Sequence, residues 1–330
     1  MVCSGKGRRD ETVLLYDAQA QSSIGSIDKE GVVRLFDVRV ENWAGPHAHC
    51  RPSEGVWVMF ESREARSGGS FGDDRVLFDQ APDAYDRARP GYPPELIDDL
   101  LQRARLGPES RILEIGCGTG QLTRLLAPIG ATMDCVELSA GMSRLARANL
   151  AAFPNVAVRH GAFEEWSETA SSYDLITSAQ AFHWIPPEIG YSKCCRLLSP
   201  EGLLALIWNL YEPSDDPLHE EIQAVYRREA PQLCRRPPDG VETRIRRTLS
   251  ELRAFGCFQE PLILRYPWID TFPPDRYADL LRSFSDHRKL GTMKLERLIA
   301  GVLEVIETHG GTIGRRQIAV LILAAARRQC

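Results

Sequence analysis

One stretch, residues 111–127, limits the folds open to this 330-residue chain. It reads RILEIGCGTGQLTRLLA. Ile112, Leu113 and Ile115 form a short apolar run of the kind found in strands covered on both faces. Gly116, Gly118 and Gly120 follow at alternate positions, and Leu122, Leu125 and Leu126 then recur at helical spacing. The order is strand, glycine turn, helix. Glycine permits a positive φ or the close approach of a ligand to backbone. The helix after the turn is expected to aim its first N–H groups at whatever occupies it.

The same grammar repeats downstream. Residues 132–138 read as a second strand with Glu137 near its end, and Ser139 as the N-cap of a helix over 140–152. Residues 156–160 form a third strand, followed by Gly161, Ala162, Phe163 and Glu164. Residues 173–178 form a fourth, followed by AQAFHW at 179–184. Pro186 and Pro187 open the next helix, 199–202 (SPEG) is a tight turn, and 203–208 is the fifth strand. This alternation predicts a parallel sheet with helices on both faces and right-handed crossovers. Ligands of such sheets bind at the carboxyl ends of the strands. The glycine loop, Glu137, Ala162-Phe163 and 180–184 all fall there.

On either side the pattern changes. Pro93 and Pro94 start a helix carrying Leu96, Ile97, Leu100 and Leu101, stopped by Gly107-Pro108. Residues 211–257 look polar and helical, 260–269 reads as a strand, helices follow at 274–284 and 293–308, and 318–325 is apolar enough for a last buried strand. Segments 211–257 and 273–308 are expected to form a cap over the active edge. Residues 1–70 differ in kind. Alternating runs at 32–40 and 56–60 suggest two or three strands, and SREARSGGS at 62–70 reads as a linker. The extension carries no recognisable chemistry. It is expected to be dispensable, whether disordered or not made at all, with Met59 a candidate start. The domain division is therefore 1–70 and 71–330.

Composition excludes several classes. A net charge of −5 gives no basic excess for nucleic acid, although the RIRR run at 244–247 leaves a local patch open. No apolar run reaches about 18 residues, so no membrane span is expected. The first residues lack the apolar core of a secretory signal. Nine cysteines, an odd number without a C-x-x-C pair, read as reduced thiols in a cytoplasmic protein. His47, His49 and Cys50 lack a distant second ligand pair, and no metal is expected.

Glu114-Ile115-Gly116-Cys117-Gly118-Thr119-Gly120 resembles the first motif of class I S-adenosylmethionine-dependent methyltransferases. The likeness runs from about residue 78 to the C-terminus. FDQ at 78–80, AYDRARPGYP at 84–93, LSPEGLLALIW at 198–208 and SFSDHRKL at 283–290 resemble the small-molecule branch called type 11. The rival is a nicotinamide-dependent Rossmann enzyme. GCGTGQ is not the G-x-G-x-x-G of a dinucleotide turn. Glu114 stands two residues before the first glycine, and GAFE at 161–164 resembles the adenine-contact loop of the methyltransferases.

The resemblance implies a Rossmann-like, doubly wound α/β fold with a seven-stranded, mostly parallel sheet, its last strand antiparallel, and a helical cap from C-terminal insertions. It implies S-adenosyl-L-methionine as cofactor. Gly116, Gly118 and Gly120 would let backbone approach its amino-acid part. Glu114 would bind its ammonium or fix the loop. Glu137 would accept both ribose hydroxyls. Ala162 stands where relatives often carry Asp or Ser on the adenine amino group, which leaves the N–H and ring of Phe163. Ser178 and Gln180 would face the methionine part.

Tyr85 and Arg89 would close over cofactor, touch substrate or anchor a helix. His183 is either a general base beside the sulfonium or a backbone anchor, with Trp184 beside it as substrate wall or core. Trp268 is a candidate apolar wall, and Arg282, His287 and Arg288 are candidate acceptor contacts or a solvated helix face. The implied function is methyl transfer to a small molecule by in-line displacement. The alternatives are a non-catalytic binding protein of the same fold and a protein or nucleic-acid methyltransferase. No Asn/Asp-Pro-Pro-Tyr/Phe motif follows the fourth strand, which argues against base amino methylation. Neither acceptor atom nor oligomeric state is set by the sequence.

Overall fold

The computed structural model describes residues 82–167, 172–212, 214, 216–234 and 240–327, together with two short strands nearer the N-terminus. These two, Ser23–Ile27 (β1) and Val33–Asp37 (β2), pair antiparallel with Gly25 opposite Leu35. β2 lies within the alternating run 32–40. The run at 56–60, Met59, the 62–70 linker, the His47–Cys50 cluster and the FDQ at 78–80 lie outside the described residues.

The larger unit is organised on one sheet. Its strands are Arg111–Ile115 (β3), Thr132–Glu137 (β4), Val156–His160 (β5), Tyr173–Ala179 (β6), Leu198–Tyr211 (β7), Leu262–Phe272 (β8) and Ile313–Ala325 (β9). The spatial order is β5-β4-β3-β6-β7-β9-β8. Pairing is parallel from β5 through β7, and β9 runs antiparallel between β7 and β8. The order reverses between β3 and β6, so a crevice opens beyond their carboxyl ends.

The helices are Pro82–Ala88 (α1), Pro94–Arg103 (α2), Thr123–Leu126 (α3), Ala140–Asn149 (α4), Pro187–Leu197 (α5), Pro217–Glu229 (α6), Val241–Phe255 (α7), Pro274–Ser283 (α8), Ser285–Arg288 (α9) and Thr292–Thr308 (α10). Strand alternation divides the core between the two faces. Leu113, Ile115, Val320 and Ile322 pack with Tyr191 and Leu197 of α5 and Ile245 and Leu252 of α7. Ile112, Ala319 and Leu321 pack with Leu96 and Leu100 of α2 and Ala146 of α4.

A third apolar cluster joins α6, α8 and α10 to Ala88 of α1. This helical layer carries Tyr226, Tyr277, Phe284, Leu298 and Val302, all fully or almost fully buried. Truncating Leu298 removes apolar contacts and leaves a cavity. Leu298→Ala is expected to cost about 2–5 kcal/mol of unfolding free energy, read from the shift of a urea transition.

Four sequence expectations change. The cap does not take all of 211–257: α6 joins the helical layer, whereas α7 covers a sheet face, because Ile245 and Leu252 supply an apolar stripe that meets α5 and β7. The helix after the glycine turn is one turn long and passes at once into a 3-10 turn, Ala127–Ile129. Pro128 lacks an N–H and cannot sit inside a continuing helix, so the loop cannot draw on a long helix dipole. The SPEG segment lies inside β7 as an irregularity, Tyr173 facing Leu198 and Leu175 facing Leu203. β9 begins at Ile313 rather than 318, since its first part alternates buried with exposed positions but fills two of the buried ones with polar Arg315 and Gln317, so it carries no apolar run.

Candidate active site

At the crevice, the backbone turns sharply through Gly116 (φ 68°) and Gly118 (φ 58°). A Cβ on Gly116 would lie 2.4 Å from the Cβ of Ala181, so only glycine lets the β3 and β6 loops approach this closely. Gly120 serves a different purpose. Its α-carbon backs onto Leu150 at the end of α4, where an added Cβ would meet the leucine Cδ1 at 3.0 Å, and it does not line the cleft.

Glu137 closes the end of β4 and is 8% exposed. One carboxylate oxygen accepts from the N–H of Gly118 at 2.9 Å and the other from the N–H of Ser139 at 2.8 Å. The side chain thus ties the glycine loop to the start of α4. Ser139 caps α4 as expected, its Oγ accepting from Met142 N at 3.1 Å. The Glu137 carboxylate also lines the cleft.

The cleft opens to solvent, and its empty space together with the solvent at its mouth amounts to about 1020 Å³. Its floor is Ile115, Gly116 and Gly118. Leu138, Met142, Ala162 and Phe163 form one apolar end. Lys193 steadies this end by donating to the carbonyls of Phe163 and Glu164, at 2.8 and 2.9 Å. Gln180 holds a left-handed conformation (φ 59°) and donates through Nε2 to the carbonyl of Asn209 at 3.0 Å. The opposite end is formed by His183, Trp184, Ile185, Trp208 and Arg244.

Tyr85 and Arg89 reach the cleft from α1 and the turn after it. The Arg89 guanidinium is 4.8 Å from the Tyr85 ring centre and 4.7 Å from that of Phe284. Its Nε donates to Ser283 Oγ at 3.1 Å. The segment therefore both touches the cleft and anchors on α8, against the expectation of a choice between those roles.

Glu114 lies beneath the loop, 1% exposed, and accepts from Thr123 Oγ1 at 2.7 Å. Burial pushes its carboxyl up to about 8, against the lowering effect of the Thr123 bond. It borders a side recess with Gly118, Gln121 and Asn209. His183 stacks on Trp184 with ring centres 5.6 Å apart. Burial, reinforced by the charges of Arg244 and Arg247, holds its imidazole well below the ordinary histidine value.

Several expected residues sit elsewhere. Ser178 is buried, and its Oγ donates to the carbonyl of Ile115 at 2.8 Å, locking β6 to β3. Trp268 is on β8, packed against the sheet face that carries α2. Arg282 pairs with Glu296 and Asp279 on the outside of the helical layer. His287 is fully buried between Asp286 and Tyr226, its Nε2 2.7 Å from the tyrosine oxygen. None of these four lines the cleft. Sequence spacing cannot show that α9 turns its histidine inward. Conversely, Trp208 and Arg244 join the site without a sequence signal: one ends an apolar strand run, the other lies in a basic run that reads as a solvated patch.

Among the described residues no group of three or more His, Cys, Asp or Glu side chains is placed to hold a metal, and no helix is long and apolar enough to cross a membrane. Residues 112–202 match a family described as a methyltransferase domain. The chain is 33% identical over 241 residues to an uncharacterized methyltransferase of Mycobacterium tuberculosis, covering 72% of this chain and 88% of that one. It is 28% identical over 243 residues to an uncharacterized methyltransferase of Schizosaccharomyces pombe, covering 73% and 92%. A malonyl-[acyl-carrier protein] O-methyltransferase of Halalkalibacterium halodurans is 32% identical over 187 residues, covering 54% and 68%. A phosphoethanolamine N-methyltransferase of Haemonchus contortus, solved with S-adenosylhomocysteine, is 18% identical with a TM-score of 0.46, covering 79% of this chain and 61% of that one. Kinship across most of both sequences, carried on a sheet of this strand order with the glycine loop at its switch point and Glu137 at the end of the neighbouring strand, makes the chain a member of the class I S-adenosylmethionine-dependent methyltransferases.

Proposed function

We propose that the chain transfers a methyl group to a small-molecule acceptor by in-line displacement within the cleft. The observation that carries this reading is one shared space, running from the glycine loop and Glu137 to the aromatic end at Trp184 and Trp208. Donor and acceptor can therefore meet without a partner surface. α1 roofs the glycine loop through Tyr85, which favours a small acceptor over a folded macromolecule.

The residues present fit the cofactor. Gly116 and Gly118 leave room for its amino-acid part, and the Glu137 carboxylate lines the cleft where the ribose hydroxyls would lie. Leu138, Met142 and Phe163 offer an apolar sleeve to the purine, with Ala162 adding no side-chain bond. Gly120 and Ser178 shape the loop from behind. S-adenosylmethionine supplies a methyl group on a sulfonium whose leaving form is a neutral thioether. The chain itself binds, aligns and excludes water.

Titration calorimetry with S-adenosylhomocysteine tests the donor half: saturable binding is expected, and no heat of binding would remove the reading. Methyl-labelled cofactor offered with a metabolite extract tests the other half. Binding without transfer to any extract component would favour a non-catalytic binding protein.

Glu114 makes the pH dependence specific. Folded and ligand-free, its carboxyl titrates near 8, against an ordinary 4.5 when unfolded. The folded state holds the extra proton between those values, so this group's contribution to stability falls as pH rises from about 4.5 to about 8. If the cofactor ammonium pairs with Glu114, binding at pH 7 expels that proton. Calorimetry in buffers of different ionisation enthalpy is then expected to show proton release for wild type and none for Glu114→Gln. Equal release by both would sever Glu114 from the ammonium.

A further inference from the structure

The end of the cleft away from Glu137 has a definite chemical character. Arg244 of α7 reaches the wall beside His183 and Ile185, its guanidinium 5.6 Å from the ring centre of Trp208. Its neighbour Arg247 is committed to Glu251 at 3.3 Å, and the second oxygen of Glu251 accepts from Tyr191. Among the described residues Arg244 has no carboxylate within ion-pair distance, and its Nε is buried with no hydrogen-bond partner. A buried guanidinium donor left unmet costs free energy unless a ligand meets it.

The surrounding groups narrow the ligand. Arg89 adds a second positive charge to the cleft wall, and the carboxylates that line it, Glu137 and Glu164, stand at the other end, so a cationic amine acceptor faces repulsion beside Arg244. Trp184, Trp208 and Ile185 make the remaining surface apolar and planar. His183 is held neutral and is a weak base there, and burial raises the Tyr85 hydroxyl above its ordinary value. An acceptor that must lose a proton finds poor help at this end. An acceptor that is already an anion needs none.

Building on the methyl-transfer reading above, we propose that this cleft methylates a carboxylate carried on an apolar or aromatic body, with Arg244 holding the carboxylate and Trp208 and Trp184 the body. One carboxylate oxygen accepts hydrogen bonds from the guanidinium, whose planar fork offers several N–H donors. The other oxygen gives an electron pair to the methyl carbon. The carbon–sulfur bond breaks, its electrons stay on sulfur, and the sulfonium charge is lost. The products are a neutral methyl ester and S-adenosylhomocysteine, and no proton moves.

The test uses the full chain with methyl-labelled cofactor and a defined panel: octanoate, decanoate, benzoate, phenylacetate and indole-3-acetate, each with its matched alcohol and primary amine. Base-labile methyl ester from at least one acid is expected. Competition binding to the S-adenosylhomocysteine-loaded protein is expected to favour the acids over their alcohols. Arg244→Gln is expected to raise the KM or Kd of the preferred acid roughly 10–100-fold, and Arg244→Lys to raise it less, while S-adenosylhomocysteine affinity stays within about twofold.

Retained S-adenosylhomocysteine affinity certifies that each variant folds. Binding of S-adenosylhomocysteine with labelling of alcohols or amines alone overturns the proposal. So does a loaded protein that neither binds nor labels any acid, or an Arg244→Gln variant with unchanged acid affinity. Failure to bind S-adenosylhomocysteine at all would instead strike the donor reading.

Discussion

Glu137→Ala is expected to weaken S-adenosylhomocysteine binding on the order of 100-fold, about 2.7 kcal/mol. Two losses combine in that figure. The first is direct: hydrogen bonds to a charged acceptor contribute roughly 1.5–3 kcal/mol, and the proposed ribose contacts are of that kind. The second is structural. Glu137 fixes the Gly118 and Ser139 N–H groups, and alanine leaves both without their acceptor. The loop then loses the geometry that admits the cofactor.

A thermodynamic cycle separates the two. The cofactor product and its 2′,3′-dideoxy analogue are titrated into wild type and variant. If Glu137 binds the ribose hydroxyls, removing them costs wild type heavily and the variant little. Strictly additive losses would leave Glu137 with the loop-fixing role alone. A fall in melting temperature is expected with either outcome, so the affinity cycle and not stability decides the matter.

Gly116→Ala is expected to be the most damaging single-methyl change in the crevice. The added Cβ falls 2.4 Å from the Cβ of Ala181, at a φ of 68°. A left-handed conformation costs an L-residue roughly 1–2 kcal/mol, and overpacking commonly adds about 1–3 kcal/mol. Relief requires Ala181 to move, and Ala181 leads directly into the turn Phe182–Trp184 that carries His183 and Trp184. Stability and cofactor affinity are therefore expected to fall together, by about 2–5 kcal/mol and by more than tenfold respectively.

Gly118→Ala is the control. Its Cβ meets nothing nearer than the Gln121 side chain at 3.5 Å, so it carries only the backbone cost while standing in the cofactor's approach. It should retain most of its stability and lose binding. Chemical denaturation and calorimetry on the same samples compare the pair. Equal stability of the two variants would contradict the close approach of the two loops.

What was legible in the sequence had a local cause. Strands β3, β4, β6 and β7 announce themselves by apolar runs, because a strand covered on both faces has little solvent side to encode. Gly116 and Gly118 were legible because few residue types tolerate their backbone angles. Glu137 was legible because a carboxylate stands at the end of the strand that follows the glycine loop, and Ser139 because a helix N-terminus needs a side-chain acceptor.

Tertiary structure decided the rest. Gly120 shares the motif's spacing, yet its neighbour is Leu150 on another helix. Ser178 is one residue short of the cleft and commits its hydroxyl to Ile115. His287, Arg282 and Trp268 carry suitable chemistry but point into a helical core, an outer ion-pair network and a sheet face. Arg244 belongs to a polar helical stretch with no motif, and reaches the cleft only because α7 packs beside β7. The sequence by itself determined the glycine turn and the carboxylate at the end of β4, since backbone conformation and strand-end chemistry are properties of neighbouring residues. The wall of the cleft at Trp208 and Arg244 was decided only by folding, because which side chains of β7 and α7 face inward depends on packing between residues far apart in the chain.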